Sequence, residues 1–286
     1  MKNGNVALLQ LCSGNNTKHN LAQIEQQIKQ LPESVELVLT PENALLFADA
    51  ATYRKKAEVE GKGPLQDAIS AMAKRYNLWI LIGSMPMISR EDPERITSTS
   101  LLFDSEGNIK ARYDKIHMFD VNLEDEQGTY NESVIYQRGE HITVVDTPVG
   151  RLGMTICYDL RFPGLFQALR EQGAEIISVP AAFTRYTGQA HWEPLLRARA
   201  IENQCYVLAP AQVGVHGGTR RTWGHTMAVD GWGKVIKKNV DAVASIVLNI
   251  KTDSLSVMRE QIKVVKHNRF RPQLTSLIKK DTTTKE

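Results

Sequence analysis

Residues 151–164 read RLGMTICYDLRFPG. An apolar run from Leu152 stops on Cys157, and Phe162-Pro163 then opens a helical pattern, with proline where the first helical turn accepts it. The pattern FPGLFQALREQGA (162–174) carries Gly173 as a stop signal, and EIISVPAAF (175–183) is a second short apolar run. The unit is therefore strand, turn, helix, strand. A packing cysteine sits inside an apolar run. One at the run's end, ahead of a helix start, is presented by the turn, as in a nucleophile elbow, although the residues are not Gly-x-Ser-x-Gly.

The same alternation extends outward in both directions. Strands are predicted at VALLQL (6–11), VELVLTPE (35–42) and LWILIGSMP (78–86), and helices at NLAQIEQQIKQL (20–31) and GPLQDAISAMAKRYN (63–77). STSLLFDSEGNIKARYDK (98–115) reads as a hairpin turning at 105–108. After an irregular segment, HITVVDTPVGRLGMTIC (141–157) gives two strands around Pro148-Val149-Gly150. A helix is expected at HWEPLLRARAIENQ (191–204), a strand at CYVLAPAQ (205–212), a hairpin at 225–238 turning at Asp230-Gly231, and a last strand at ASIVLNI (244–250). A basic helix and extension, 257–272, follow. Strands alternating with helices, plus hairpins, argue for an α/β layered domain with a mixed sheet. No linker, repeat or low-complexity tract divides the chain, so 1–275 is read as one domain and 276–286 as a polar tail.

Totals bound the function. The 286 residues are 42% hydrophobic and 23% charged, with a formal net charge of +3, the profile of a globular chain that does not suggest a nucleic-acid or membrane-surface partner. Cys12, Cys157 and Cys205 are odd in number and far apart, so neither a disulfide framework nor a zinc pair is expected, and a reducing compartment follows. The N-terminus lacks a signal-peptide pattern, and no apolar run approaches the ~20 residues of a membrane helix. A cytoplasmic location is the expectation.

A free thiol has a pKa of about 8.5 and needs an activating neighbour. Two segments offer one. VELVLTPENALL places Glu42 after Pro41 at the C-terminal end of a strand, where α/β sheets put their ligands. ARYDKIHMFD sets Lys115 among apolar and aromatic residues, an odd place for a solvated charge. Taken alone, Glu42 and Lys115 are more often structural, a helix-start or loop-exposed acid and a packed lysine, while Cys157 reads equally as a strand-end cysteine packed under a helix.

Taken together and in order, TPENAL (40–45), YDKIHMFD (113–120) and GMTICYDLRFP (153–163) resemble the Glu-Lys-Cys motifs of the nitrilase, or carbon–nitrogen hydrolase, superfamily. Further matches are YNESVIYQRGE (130–140), GAEIISVPAAF, AHWEPLLRARAIENQCYVLAPAQVG and GHTMAVDGWGKVI, so the resemblance spans roughly residues 5 to 272. It implies a four-layer αββα sandwich, usually dimeric, with the basic segment Lys263 to Arg271 reaching toward a second subunit. It implies Cys157 as nucleophile, Glu42 as general base, and Lys115 with the Tyr158 N–H as oxyanion donors. Glu132 matches the family's second structural glutamate and would orient Lys115. The chemistry calls for no metal or organic cofactor. A redox-sensing thiol or a silent scaffold leaves the accompanying Glu42 and Lys115 unexplained.

The wording of 197–216 and 224–233 resembles the branch acting on α-keto-acid amides, in particular the α-ketoglutaramyl end of deaminated glutathione. Amidases of free α-ketoglutaramate share Ala-His-Trp-Glu and Gly-His but differ around Cys-Tyr-Val and Ala-Gln. Such a substrate asks for a cation. Arg161, Arg185 and Arg197 are the candidates, with a helical ion pair expected for Arg197. Arg185 is favoured, in a Thr184–Gly188 loop flexible enough to close over a ligand. Phe183 and Thr184 are placed on the pocket wall and Glu193 near it. Trp192, His225, Cys205 and Cys12 are expected to be structural.

Overall fold

The computed structural model describes residues 3–125, 128–218, 220–271 and 273. The tail at 276–286 lies outside them. The first sheet begins with β1 (Asn3–Leu9), β2 (Val35–Leu39), β3 (Trp79–Ile88), β4 (Ile96–Phe103) and β5 (Ile109–Asp114). A small hairpin, β6 (Asp120–Asn122) and β7 (Thr129–Asn131), leads to the second sheet. That sheet contains β8 (Val144–Thr147), β9 (Gly150–Met154), β10 (Ile176–Ser178) and β11 (Tyr206–Ala209). A second small hairpin, β12 (Val213–His216) and β13 (Arg220–Trp223), precedes its last two strands, β14 (Thr226–Val229) and β15 (Val235–Asn239), and β16 (Ser245–Lys251) returns to the first sheet.

The sheet orders are β16-β1-β2-β3-β4-β5 and β15-β14-β11-β10-β9-β8. In each, three central strands run parallel and the flanking strands pair antiparallel. Side chains alternate faces along a strand, and that alternation divides the core. Val6, Leu8, Leu37, Leu39 and Leu81 face the second sheet's Leu152, Met154 and Ile176. Ala7, Leu9, Val38, Ile80 and Ile82 point the other way, onto the helices. The helices on that side are α1 (Thr17–Ile28) and, beyond a short α2 (Ala50–Lys56), α3 (Pro64–Tyr76), which bury Ile24, Ile28, Ile69 and Met72. Against the second sheet lie α4 (Pro163–Glu171) and α5 (Arg185–Asn203), with Phe166, Leu169, Trp192 and Leu196 in its core. The result is the four-layer αββα sandwich the resemblance implied. Burying each large apolar side chain contributes ~1.5–3 kcal/mol, and both faces of the sheets are used.

Local signals explain most boundaries. Asn16 caps α1 by accepting from the His19 N–H, Pro64 opens α3, and Asn77 closes it in the left-handed region. Helix α2 was not foreseen; its signal is Asp49, whose Oδ1 accepts from the Thr52 N–H at 2.8 Å. α5 starts six residues earlier than the pattern at 191 suggested, because Thr184 caps it through the Thr187 N–H. His191, Trp192 and Glu193 are therefore in the interior of the helix and not at its start. The last helices of the described residues are α6 (Asp253–Gln261) and a single turn, α7 (Val264–His267). No helix of the described residues is long and apolar enough to cross a membrane.

Candidate active site

Glu42, Lys115 and Cys157 follow the C-terminal ends of β2, β5 and β9, and the two facing sheets bring these ends to one cavity. Glu42 is held by its own backbone. Its carbonyl accepts from Gln212 Nε2 at 2.9 Å, and the next N–H, of Asn43, donates to Ser84 Oγ at 2.8 Å. β3 can approach this segment so closely because residue 83 is glycine: a Cβ there would stand 2.3 Å from the Thr40 carbonyl oxygen and 2.4 Å from that of Pro41.

Cys157 has φ of 48°, a left-handed backbone that non-glycine residues seldom adopt. The turn is fixed from both sides. The Cys157 N–H donates to the Pro180 carbonyl at 2.8 Å, and the Ile156 N–H donates to Asp159 Oδ2 at 2.8 Å. Fully buried Asp159 also accepts from Tyr113 Oη at 2.7 Å and lies 2.7 Å from His117 Nδ1. The elbow is real, but it does not expose the sulfur: Cys157 is 9% accessible, on the cavity wall under α4 and α5 rather than in solvent.

Lys115 is 1% exposed. Its Nζ lies 2.9 Å from Glu42 Oε1 and 2.8 Å from both carboxylate oxygens of Glu132. Glu132 is oriented in turn by the Phe119 N–H at 2.7 Å. Glu42 Oε2 accepts from the Ala182 N–H at 2.9 Å, and the Cys157 thiol stands on the same cavity wall, close enough for the two groups to shift one another's protonation. One carboxylate thus gathers an ammonium and a backbone amide beside a thiol.

The electrostatics follow from this. Burial pushes the Glu42 carboxyl up, but the Lys115 charge, the nearby Cys157 thiol and the Lys115 hydrogen bond outweigh it and hold the group below its ordinary value. Burial, reinforced by the Glu42 charge, pushes the Cys157 thiol well above its ordinary value. Burial works against the Lys115 ammonium, yet the Glu132 and Glu42 charges hold it protonated. At neutral pH the cluster rests as carboxylate, ammonium and neutral thiol.

The cavity is small, about 130 Å³, and opens to solvent. Tyr158, Arg161, Phe183 and Thr184 line it, as expected. The Tyr158 N–H belongs to the first turn of a short 3₁₀ helix (Cys157–Arg161), where N–H groups have no intrahelical acceptor. The Arg161 guanidinium lies 5.2 Å from the Phe183 ring centre and 5.8 Å from that of Tyr158.

Two expected substrate residues are not brought in. Arg185 is an exposed residue in the first turn of α5, not part of a flexible loop, and it does not line the cavity. Glu193 pairs with Lys238 at 3.1 Å on the outer face of the same helix. Arg197 makes no helical ion pair; its Nε donates to the Gly233 carbonyl at 2.8 Å. Trp192 is buried and donates to the His225 carbonyl at 2.8 Å, a packing role, and Cys205 is buried beneath the sheet with its thiol pushed up to about 11 by burial. Cys12 is only partly buried, and its thiol is raised by burial.

Sequence reading missed Arg220, which lines the cavity from β13. It sits in HGGTRRTWG (216–224), a glycine-rich stretch without the alternation that marks a strand. Tyr53 and Tyr136, also on the cavity, belong to the unforeseen α2 and to the segment read as irregular.

The carbon–nitrogen hydrolase family profile matches residues 5–257. A Yersinia enterocolitica protein named deaminated glutathione amidase is 70% identical over 94% of this chain and 94% of its own length. A Dictyostelium discoideum protein of the same name is 39% identical over 93% and 94%. Among solved structures, Saccharomyces cerevisiae Nit3, of branch 10 of the nitrilase superfamily, superposes with a TM-score of 0.83 at 27% identity, covering 94% of this chain and 97% of that one. With its sandwich fold and its Glu-Lys-Cys cluster, the chain belongs to the carbon–nitrogen hydrolase family.

Proposed function

We propose that the chain is a thiol-dependent amidase that hydrolyses deaminated glutathione to α-ketoglutarate and cysteinylglycine through a cysteinyl thioester. The observation that carries the chemistry is the Glu42 carboxylate, held in place by Lys115 and the Ala182 N–H, sharing one cavity with the Cys157 thiol. The names of the relatives, led by the 70% identical one, carry the substrate.

Glu42 takes the thiol proton as sulfur attacks the amide carbonyl. The carbonyl π pair moves to oxygen. An ammonium has three donors; Lys115 directs them to Glu42, to Glu132 and, with the third, to this oxyanion, joined by the Tyr158 N–H. Collapse breaks the C–N bond, and Glu42 returns the proton to the departing amine of cysteinylglycine. A water entering the vacated space gives a proton to Glu42 and attacks the thioester. The C–S bond breaks, the thiol recovers the proton, and α-ketoglutarate leaves. Phe183 and Thr184 wall the acyl chain. The two cavity guanidiniums, Arg161 and Arg220, suit an anionic substrate.

The deciding measurement is kcat/KM on α-ketoglutaramyl-cysteinylglycine against free α-ketoglutaramate. The peptide is expected to be the better substrate, and alkylation of Cys157 is expected to stop its turnover. A clear preference for the smaller amide defeats the substrate assignment; turnover surviving alkylation defeats the thioester.

The charge state sets the pH profile. Glu42 is lowered from 4.5 and Cys157 is raised from 9.0, so the active form, carboxylate beside neutral thiol, persists between those values. kcat/KM is expected to be flat through neutrality and to fall on the acid side in two stages, first as Glu132, raised by burial, takes a proton and loosens its hold on Lys115, then below 4.5 as Glu42 does. A rise in activity with the ionisation of the thiol itself near neutrality would mean a preformed thiolate instead.

The reading includes a cytoplasmic homodimer. Three free cysteines suit a reducing compartment. Val257, Ile262, Val265 and Phe270 expose apolar surface on and after α6, the segment the resemblance brings to a second subunit. Sedimentation equilibrium is expected to give twice the 32.1 kDa chain mass; a monomer at micromolar concentration rejects it.

A further inference from the structure

Of the cavity's cations, Lys115 is matched by two carboxylates, but Arg220 is matched by none among the described residues. Its guanidinium lies 4.8 Å from the Phe47 ring centre and 5.5 Å from that of Tyr130. Its Nε is buried and has no hydrogen-bond partner. A buried donor left unmatched is costly, and a charged one more so. Arg161 differs: its Nη1 already has His191 Nδ1 at 3.2 Å.

The mounting of Arg220 is stiff. Phe47 stacks on His216 with ring centres 4.1 Å apart and planes 8° from parallel. The His216 ring is fixed at both nitrogens, Nδ1 lying 2.7 Å from the Ser13 carbonyl and Nε2 2.8 Å from Thr222 Oγ1. Burial, with the Arg220 charge adding to it, brings His216 down to about 4. The plate behind Phe47 is therefore uncharged at neutral pH and competes for no anion. A guanidinium held by aromatic faces loses little freedom when it takes a carboxylate in its planar fork.

We propose that Arg220 is the anchor for the carboxylate at the acyl end of the substrate, so that this site selects monoamides of dicarboxylic acids over uncharged amides. The proposal rests on the amidase reading above, in which one carboxylate lies on each side of the scissile bond. The acyl-side carboxylate stays on the enzyme through both half-reactions, as part of the thioester after the amine has left. An anchor on that side aligns the carbonyl carbon for sulfur first and for water second. Arg220 is a substrate-binding residue here and takes no part in proton transfer.

The test compares wild type with Arg220→Met and Arg220→Gln on three amides. These are α-ketoglutaramate, α-ketoglutaramyl-cysteinylglycine, and levulinamide, which has a methyl group where α-ketoglutaramate has its carboxylate. Thermal unfolding and the rate of Cys157 alkylation report whether each variant keeps its fold and its thiol. The expected result is that the kcat/KM ratio of α-ketoglutaramate to levulinamide falls roughly 10- to 100-fold in both variants, the worth of a charged hydrogen-bond pair, with the peptide falling alongside α-ketoglutaramate. Two results from the variants overturn the anchor: an equal loss on levulinamide, which makes Arg220 a structural residue, or a loss confined to the peptide, which puts its carboxylate on the leaving side. Wild-type enzyme that favours α-ketoglutaramate over levulinamide but ignores the peptide defeats the deaminated glutathione assignment and leaves the anchor standing. Wild-type enzyme that does not distinguish α-ketoglutaramate from levulinamide defeats the anchor.

Discussion

Glu42→Gln is expected to lower kcat/KM by roughly a hundred- to ten-thousandfold, the usual contribution of a positioned general base. The side chain keeps its size, so the loss reads the proton chemistry. The amide also cannot reproduce the carboxylate's contacts. Oε1 of Glu42 faces the Lys115 ammonium and Oε2 faces the Ala182 N–H. Glutamine has one acceptor, so its NH₂ meets one of those donors head-on whichever way it turns, at a cost of about 1–3 kcal/mol in stability. Removing the Glu42 charge takes away one of the causes that push the Cys157 thiol above its ordinary value and leaves Lys115 beside it, so the thiol is expected to react with iodoacetamide no more slowly than in wild type. Lost turnover with alkylation retained and a modest fall in Tm together identify Glu42 as the base. Unchanged kcat/KM removes it from the mechanism.

Lys115→Met is expected to cost both activity and fold. Methionine fills the space but leaves the Glu42 and Glu132 carboxylates facing one another without the cation between them. Removing one partner of a buried ion pair costs about 3–5 kcal/mol, and the oxyanion loses its charged donor. The pH dependence of the deficit identifies the cause. Without the cation, burial and mutual repulsion raise the carboxyls above their unfolded values. A group raised in this way contributes stability at pH below its unfolded value and loses it as pH rises through the folded one. The gap in Tm between wild type and Lys115→Met is therefore expected to widen from pH 5 to pH 8. A gap independent of pH would mean that the variant suffers from packing alone. Glu132→Gln is the milder partner of this experiment: it keeps a carbonyl oxygen for Lys115, so slower turnover with a smaller loss of stability is expected, and unchanged kinetics would remove Glu132 from the mechanism.

The layers were legible because they follow from side-chain periodicity. Runs such as VALLQL and VELVL are apolar on both faces, and such a strand must be covered on both sides. The structure shows where each face goes, Val6 and Leu8 to the second sheet and Ala7 and Leu9 to the helices. The helix α5 was legible in type but not in extent. Its hydrophobic rhythm begins late, whereas its true start is a single capping hydroxyl, that of Thr184. That one hydrogen bond moves Arg185 from a supposed mobile loop to the outer surface of a helix. The small hairpin of β12 and β13 was not legible at all, since it borders the cavity and does not bury one clean face. The one cavity arginine that no motif marked lies there.

The sequence by itself determined the alternation of the main strands and helices and, through its resemblance to one family, the three residues Glu42, Lys115 and Cys157 as one candidate set. The alternation follows from local pattern; the set follows from the order of the three motifs, since no one of them alone marks a site. Tertiary structure decided the charge on each of the three, because a pKa depends on neighbours that are remote in the chain: Glu42 is ionised because Lys115 and the Ala182 N–H meet it, and Cys157 keeps its proton because it is buried beside that charge. It also decided which arginines face the cavity. Arg161 and Arg220 are half-buried on its wall and Arg185 is not, a matter of helix phase and hairpin placement that the packing of two sheets settles.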